Sequence, residues 1–161
     1  MRIALLLSCI ALPLAGGAFL TTNGPAHASP PPNGAQIYMR CAACHTAKGS
    51  GVPRAYPPLG ADFRRLAVND KGRRYLMLAV IRGLMGPITV DGKPYRGMMP
   101  AQSGLDDASV AAVLNHVGTV IATTGPKFRP FTEAEAKAAR ASASGLSSAD
   151  VAKLHESSGG K

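Results

Sequence analysis

The sequence predicts a mostly α-helical fold with one small β-hairpin, and three observations lead to this fold class. Apolar residues recur at helical spacing within residues 71–82 and again within residues 110–121. Four of the expected helices begin after residues that commonly cap helices: Asn33, Asp106, Thr132 and Ser147. The dipeptide Asp91-Gly92 separates two short β-prone runs, a pattern typical of a tight hairpin.

The first half of the chain is predicted to contain three helices and one long loop. Asn33 is a suitable N-cap for a helix over residues 34–41. Residues 46–59 contain two glycines and three prolines, which exclude a regular element there. Helices follow over residues 61–68 and 71–82, and Gly83 is suited to end the second of these.

The hairpin and the clearest helix come next. The hairpin is predicted over residues 88–95, and Pro94 restricts it to an edge ribbon because proline has no N–H to donate. Asp106 is the N-cap of a helix that carries the apolar stripe of residues 110–121, with Leu105 and Val110 positioned as a hydrophobic staple. The helix is expected to stop by Gly125-Pro126.

A helical extension is predicted after residue 125. Thr132 and Glu135 match a capping box, which predicts a helix to about residue 143. Ser147 and Asp150 begin a second, shorter helix, and residues 157–161 are expected to fray.

The chain begins like an export signal. Arg2 precedes a mostly apolar run over residues 3–14, and Ala26-His27-Ala28 is a small-residue cleavage pattern. We predict a signal peptide over residues 1–28, cut after Ala28, which places the mature protein in the periplasm. An uncleaved membrane anchor is the alternative, although the run is short and interrupted for a membrane span. Cys9 would leave with the signal.

The pentapeptide Cys-Ala-Ala-Cys-His at residues 41–45 indicates covalent attachment of one haem c. Two thiols three positions apart on a helical turn can reach the two vinyl groups of a porphyrin, so Cys41 and Cys44 are the predicted attachment points. His45 then offers its imidazole to the iron as an axial ligand. Zinc sites and redox dithiols share the bare C-x-x-C spacing, but the adjacent histidine favours haem.

A methionine is the usual second axial ligand in electron-carrying cytochromes. Met85, Met98 and Met99 are the candidates, and we favour Met99, with Met98 second. Met99 directly precedes Pro100 in a glycine-flanked loop, and proline restricts the conformation of the residue before it.

Two histidines are weaker candidates for the same iron position. His116 lies at the edge of the apolar stripe, where a satisfied or exposed helix histidine is the simpler interpretation. His155 belongs to the tail and is the weaker of the two.

The charge balance indicates the kind of partner. The chain has 18 lysines and arginines against nine acidic residues, and about +8 remains once the signal is removed. Eleven basic residues but only three acidic ones fall between residues 40 and 96. A basic haem region predicts redox partners with acidic docking surfaces. Peripheral contact with an anionic membrane surface or a membrane oxidoreductase also fits this charge. Export and the lack of a recognition motif argue against nucleic acid.

The chain resembles class I monohaem cytochromes c of bacteria over about residues 33–120. The resemblance rests on five segments of sequence: residues 34–38, 41–45, 56–60, 97–101 and 105–107. It implies the class I cytochrome c fold, with helices packed around one haem, over residues 29–125. Residues 126–161 are then a C-terminal helical extension.

The resemblance also implies roles for particular residues. The methionine directly before proline is the sixth ligand in that family, which supports Met99. The loop proline two positions before leucine gives its carbonyl to the ligating histidine, which points to Pro57. The first and last helices of the haem domain should cross near Gly34, although this chain has His116 where relatives usually have tyrosine.

The predicted function is periplasmic electron transfer by a single c-type haem with His/Met ligation. The hairpin insertion and the tail are similar to those of haem c domains in copper nitrite reductases and in cytochrome subunits of periplasmic dehydrogenases. A dedicated cytochrome subunit of such a dehydrogenase or reductase is therefore the main alternative. A haem enzyme with an open sixth site is a further one. We predict an electron carrier and not an enzyme, with no catalytic residues.

Overall fold

A computed structural model describes residues 30–161, so the predicted signal peptide lies outside the described residues. The described chain is mostly helical and has one two-stranded antiparallel sheet, which confirms the predicted fold class. The elements in chain order are α1 (Gly34–Tyr38), α2 (Ala42–His45), α3 (Ala61–Leu66), α4 (Asp70–Arg82), β1 (Ile88–Val90), β2 (Lys93–Tyr95), α5 (Asp107–His116), a π-helical turn (Val117–Ile121), α6 (Glu133–Ala141) and α7 (Ser148–Ser157).

The predicted first helix is divided in two. Asn33 caps α1 as expected, since its side chain accepts bonds from the N–H groups of Ala35 and Gln36. Beyond α1 the backbone tightens, and the Cys41 N–H donates to the Tyr38 carbonyl three residues back. Such i→i+3 bonds are typical of helix ends. The turn leaves Cys41 as the N-cap of α2, so that the pentapeptide forms a separate helical turn.

α1 crosses α5 at very short range. A Cβ added to Gly34 would lie 2.2 Å from the carbonyl oxygen of Ala112. Only glycine therefore permits this approach, and the crossing is where the sequence predicted it. His116 packs its ring 5.3 Å from the ring of Tyr38 at this crossing.

α4 is the central element and is buried along most of its length. It begins at the Asn69 cap and ends at Gly83, whose φ of 73° places it in the left-handed region. The chain then pairs locally with a later segment, because Leu84 and Met99 exchange two backbone hydrogen bonds of 2.9 and 3.0 Å. This bridge closes a loop that contains the β1–β2 hairpin.

The hairpin follows the sequence prediction. Ile88 pairs with Tyr95 and Val90 with Lys93, so that Asp91 and Gly92 form the turn. Both turn residues have positive φ, 51° and 73°, as a two-residue type I′ turn requires.

The helix expected to stop by Gly125-Pro126 changes its form before that point. α5 stops at His116 and continues as a π-helical turn to Ile121, in which the Ala122 N–H donates to the Val117 carbonyl at 2.7 Å. Arg64 satisfies the carbonyls left at this end, because its guanidinium donates to Gly118 and Ala122. A side chain 54 residues away thus sets where the helix ends.

α6 and α7 begin with the two predicted capping boxes and share the core with the preceding helices. Phe131, Ala136 and Val151 are buried in the same cluster as the residues of α4 and α5. The division between residues 29–125 and 126–161 stays a prediction.

The prediction that residues 157–161 fray is wrong. The Lys161 N–H donates to Asp62 at 2.9 Å, and the Ser158 carbonyl accepts a bond from the Asn69 side chain at 3.2 Å. The Asp91 N–H also donates to the Lys161 carbonyl. These partners lie far away in sequence and fix the end of the chain against α3 and the hairpin.

In residues 30–161, no helix has both the length and the apolar character needed to cross a membrane.

Candidate functional site

A cleft lies between α1–α2, α4, α5 and the loop after the hairpin. It consists of two adjoining cavities with about 740 and 670 Å³ of empty space. The two cavities share six lining residues: Cys41, His45, Pro57, Leu84, Ile88 and Met99. Four of the six are residues that the sequence singled out for chemistry.

His45 has a defined orientation and protonation state. Its Nδ1 lies 2.9 Å from the Pro57 carbonyl oxygen. Because a carbonyl can only accept, Nδ1 must carry the proton, and in the neutral ring the Nε2 lone pair is left for a metal. Burial lowers the pKa of His45, an effect that the bond to Pro57 partly opposes. The neutral form, which binds metals, is therefore favoured at neutral pH.

Cys41 and Cys44 are half-buried free thiols on the turn that presents His45. Cys41 lines both cavities and Cys44 lines the second. Burial raises the pKa of the Cys41 thiol, and the nearby Arg40 only partly offsets this effect. The Cys41 thiol is thus kept protonated.

Met99 is the methionine, among those described, that lines both cavities together with His45. Its backbone is held by the two bonds to Leu84, and its side chain is partly buried against the core. Met98 lines only the second cavity and is 58% exposed, while Met85 is 51% exposed and lines neither. Met77 is buried in the core at 2% exposure.

The cleft suits a large flat apolar group. Its wall is formed mainly by aliphatic and aromatic side chains from four elements, including Phe63, Leu76, Val80 and Leu114. A neutral imidazole, a thioether sulfur and two thiols meet inside that wall. This donor set matches a covalently attached haem, in which the porphyrin holds iron and the protein supplies axial ligands.

One cluster of polar side chains in the cleft was not predicted from the sequence. Asp62, Tyr75 and His155 line the first cavity together with His45. Asp62 and His155 form a buried pair at 2.9 Å, with side chains 6% and 3% exposed. They are 93 residues apart. An aspartate in the predicted 61–68 helix and a histidine in the tail carried no local signal that they meet.

The two histidines considered as alternative iron ligands have other contacts. His116 packs on Tyr38 at the α1–α5 crossing and lines neither cavity. His155 lies in the first cavity, but its Nε2 is bonded to Asp62.

Comparison with known proteins agrees with this geometry. The family model described as "Cytochrome c" matches residues 32–120, more than half of the chain. One cytochrome c-552 of Thermus thermophilus is 42% identical over 126 residues, which is 77% of this chain and 84% of that protein. A second cytochrome c-552 of Thermus thermophilus is 42% identical over 111 residues, 68% of this chain and 85% of that protein. The chain therefore belongs to the cytochrome c family, as a class I monohaem cytochrome c that binds haem c with iron covalently and transfers electrons.

Proposed function

We propose that this protein is an exported electron carrier whose haem is tethered by Cys41 and Cys44 and ligated by His45 and Met99. The observation that carries the proposal is the convergence of these residues on one apolar cleft, with Met99 in both cavities. The bound haem supplies a one-electron couple at its iron. The chain's own residues then need only hold two axial positions, which favours electron transfer over catalysis.

Each protein group has a specific task in this proposal. The Pro57 carbonyl fixes the His45 ring and makes its Nε2 the free donor. The Leu84 bridge holds the Met99 backbone, so the sulfur is available without large rearrangement. A thioether ligand raises the reduction potential relative to stronger donors, as suits a carrier that accepts electrons. The apolar wall excludes water from the iron.

The proposed location is the periplasm. It rests on the signal pattern of residues 1–28 and on the haem attachment motif. Cleavage after Ala28 would leave a mature chain that begins just before the cap of α1.

The proposed docking surface surrounds the mouth of the second cavity. Arg40 lines that cavity and is exposed. Arg54 and Arg96 are also exposed and adjacent, because the Arg96 N–H donates to the Arg54 carbonyl at 3.1 Å. Gly97, which follows Arg96, lines the same cavity. A partner with acidic groups around its own redox centre would be steered to this mouth.

The ligand assignment is tested with Met99→Ala and the matched control Met98→Ala. We expect Met99→Ala to keep covalent haem, to lower the reduction potential and to let the reduced protein bind carbon monoxide. Met98→Ala should leave the spectrum and the potential unchanged, since its side chain is mostly exposed. Absence of covalent haem in the wild-type protein would contradict the whole proposal. If only Met98→Ala changed the spectrum and the potential, Met98 and not Met99 would be the ligand.

The docking surface is tested by the salt dependence of electron exchange with an acidic redox protein. Arg96→Glu should slow exchange at low salt and have little effect at high salt, because exposed charges are screened. Lys127→Glu, an exposed change in the segment after the π-helical turn, is the control. Equal effects of both variants would argue against a localised surface. Stable co-purification with a large catalytic subunit would instead favour the dedicated-subunit alternative.

A further inference from the structure

The polar group at one side of the cleft is built by three distant parts of the chain. Asp62 comes from α3, Tyr75 from α4 and His155 from α7, and all three line the first cavity. The rings of Tyr75 and His155 meet edge to face with centroids 5.3 Å apart. Gly160 packs against the other side of the imidazole, since a Cβ there would lie within 2.5 Å of three ring atoms.

The His155 ring is satisfied at one nitrogen only. Its Nε2 lies 2.9 Å from Asp62 Oδ2, while Nδ1 is buried and has no hydrogen-bond partner within residues 30–161. Asp62 is engaged further by the Lys161 N–H and by Arg65. Burial raises the pKa of Asp62, but the hydrogen bond to His155 and then those to Lys161 and Arg65 bring it below its ordinary value. Asp62 is therefore ionised, and Nε2 donates to it. A buried ring nitrogen with nothing to bond is unusual in a folded protein.

Haem c supplies the group that this nitrogen lacks. The porphyrin is apolar except for the iron and two propionate carboxylates, and its vinyl groups occupy the half opposite the propionates. Cys41 and Cys44 hold the vinyl half, so the propionates point away from them. Among the residues that line the cavities, His155 is the buried group with an unused polar atom. We infer that His155 Nδ1–H donates a hydrogen bond to a haem propionate and that the ring is held as an imidazolium between this carboxylate and Asp62.

This inference rests on the proposed haem site and adds a residue from the C-terminal segment to it. If His155 were only a packing residue, an apolar ring of similar size would fill the site without leaving a buried nitrogen unpaired. The Asp62 bond alone does not explain the histidine, because it uses only Nε2. A second carboxylate explains both nitrogens, since the protonated ring has two donors and no acceptor.

The proposed imidazolium has a consequence for the redox couple. Reduction adds an electron to the haem, and a positive charge beside a propionate stabilises that added charge. The titratable or charged side chains near the ring are Asp62, Arg65, Tyr75 and Asp91, and the Lys161 backbone N–H also bonds to Asp62. Loss of the His155 ring should therefore lower the reduction potential.

The test compares His155→Gln with the matched control His116→Gln in the holoprotein. A glutamine amide can keep the bond to Asp62 but has no counterpart of Nδ1–H. We expect His155→Gln to lower the equilibrium constant for reduction about tenfold at low pH, which is about 59 mV for one electron. The potential of His116→Gln should equal that of the wild-type protein.

Nitrogen-15 NMR of histidine-labelled wild-type protein gives a second measurement that needs no substitution. In the reduced holoprotein both nitrogens of His155 should be protonated at low pH. A ring protonated at Nε2 alone, or potentials of His155→Gln and wild type that stay equal at every pH, would overturn the inference. Such results with covalent haem in place leave the proposed function intact. Wild-type protein without covalent haem would overturn the proposed function and this inference with it.

Discussion

Replacement of Arg73 by methionine tests how residues 126–161 are attached to α4. The Arg73 guanidinium is buried, with its side chain 2% exposed. It donates two bonds of 2.8 Å to the Glu135 carboxylate. Three more bonds of 2.9 to 3.0 Å reach carbonyl oxygens at the start of the segment and after α3: Ala67, Arg129 and Pro130. One side chain thus joins α4 to the chain that leads into α6.

Arg73→Met should cost about 3–5 kcal/mol of unfolding free energy, because it removes the buried member of an ion pair and leaves Glu135 with only the more exposed Arg129 as an ionic partner. Such a loss is a large part of the stability of a typical domain. The measurement is guanidinium unfolding of the holoprotein followed by far-ultraviolet circular dichroism. Arg74→Met is the control: this neighbour on α4 bonds to Ser142 near the surface and should change the free energy by less than about 1 kcal/mol.

The difference in unfolding free energy between Arg73→Met and Arg74→Met tests the role of the buried ion pair. Equal small losses in Arg73→Met and Arg74→Met would refute the buried ion pair as the main attachment. A double variant with Glu135→Gln should lose less than the sum of its two single changes, since both remove the same interaction. Additive losses would show that Arg73 acts through its carbonyl contacts instead.

Two further outcomes follow from the same structure. Gly34→Ala should destabilise the protein by about 1–3 kcal/mol, because the added Cβ would lie 2.2 Å from the Ala112 carbonyl oxygen. Gly104→Ala is the control, since nothing lies within 4 Å of a Cβ added there. Equal unfolding midpoints of the two variants would contradict the close crossing of α1 and α5. The hydrogen bond from Arg73, more than any other contact, lowers the pKa of Glu135 from 4.5 to about 2. The stability that ionised Glu135 contributes is therefore complete above pH 4.5 and is lost as the pH falls towards 2. The free energy of unfolding should therefore fall less steeply with decreasing pH in Glu135→Gln than in the wild-type protein over that window. An unchanged slope would contradict the Arg73–Glu135 pair.

The sequence predicted the parts of the fold that depend on local chemistry. The Asn33 cap, the Asp91-Gly92 turn and both capping boxes are interactions between residues at most three positions apart, so their signals are complete within a short window. The C-x-x-C-H spacing is equally local. It therefore predicted the turn that carries His45, although that turn proved to be a separate helix from α1.

The features that the sequence did not predict depend on residues far apart. The π-helical turn ends where Arg64 donates to the Gly118 and Ala122 carbonyls, 54 and 58 residues away. The last residues looked free to fray because their polar and small side chains form no apolar face. Their partner Asp62 lies 99 residues from Lys161, a contact that only the folded chain creates.

The same long-range contacts change how the C-terminal segment should be understood. Taken as sequence, residues 126–161 are an addition behind a complete haem domain. In the folded chain the Arg73–Glu135 pair attaches this segment to α4, and α7 then places His155 in the cavity that His45 also lines. The Lys161 N–H fixes the carboxylate to which His155 is bonded. The segment itself therefore forms one side of the cleft and supplies one member of its buried Asp62–His155 pair.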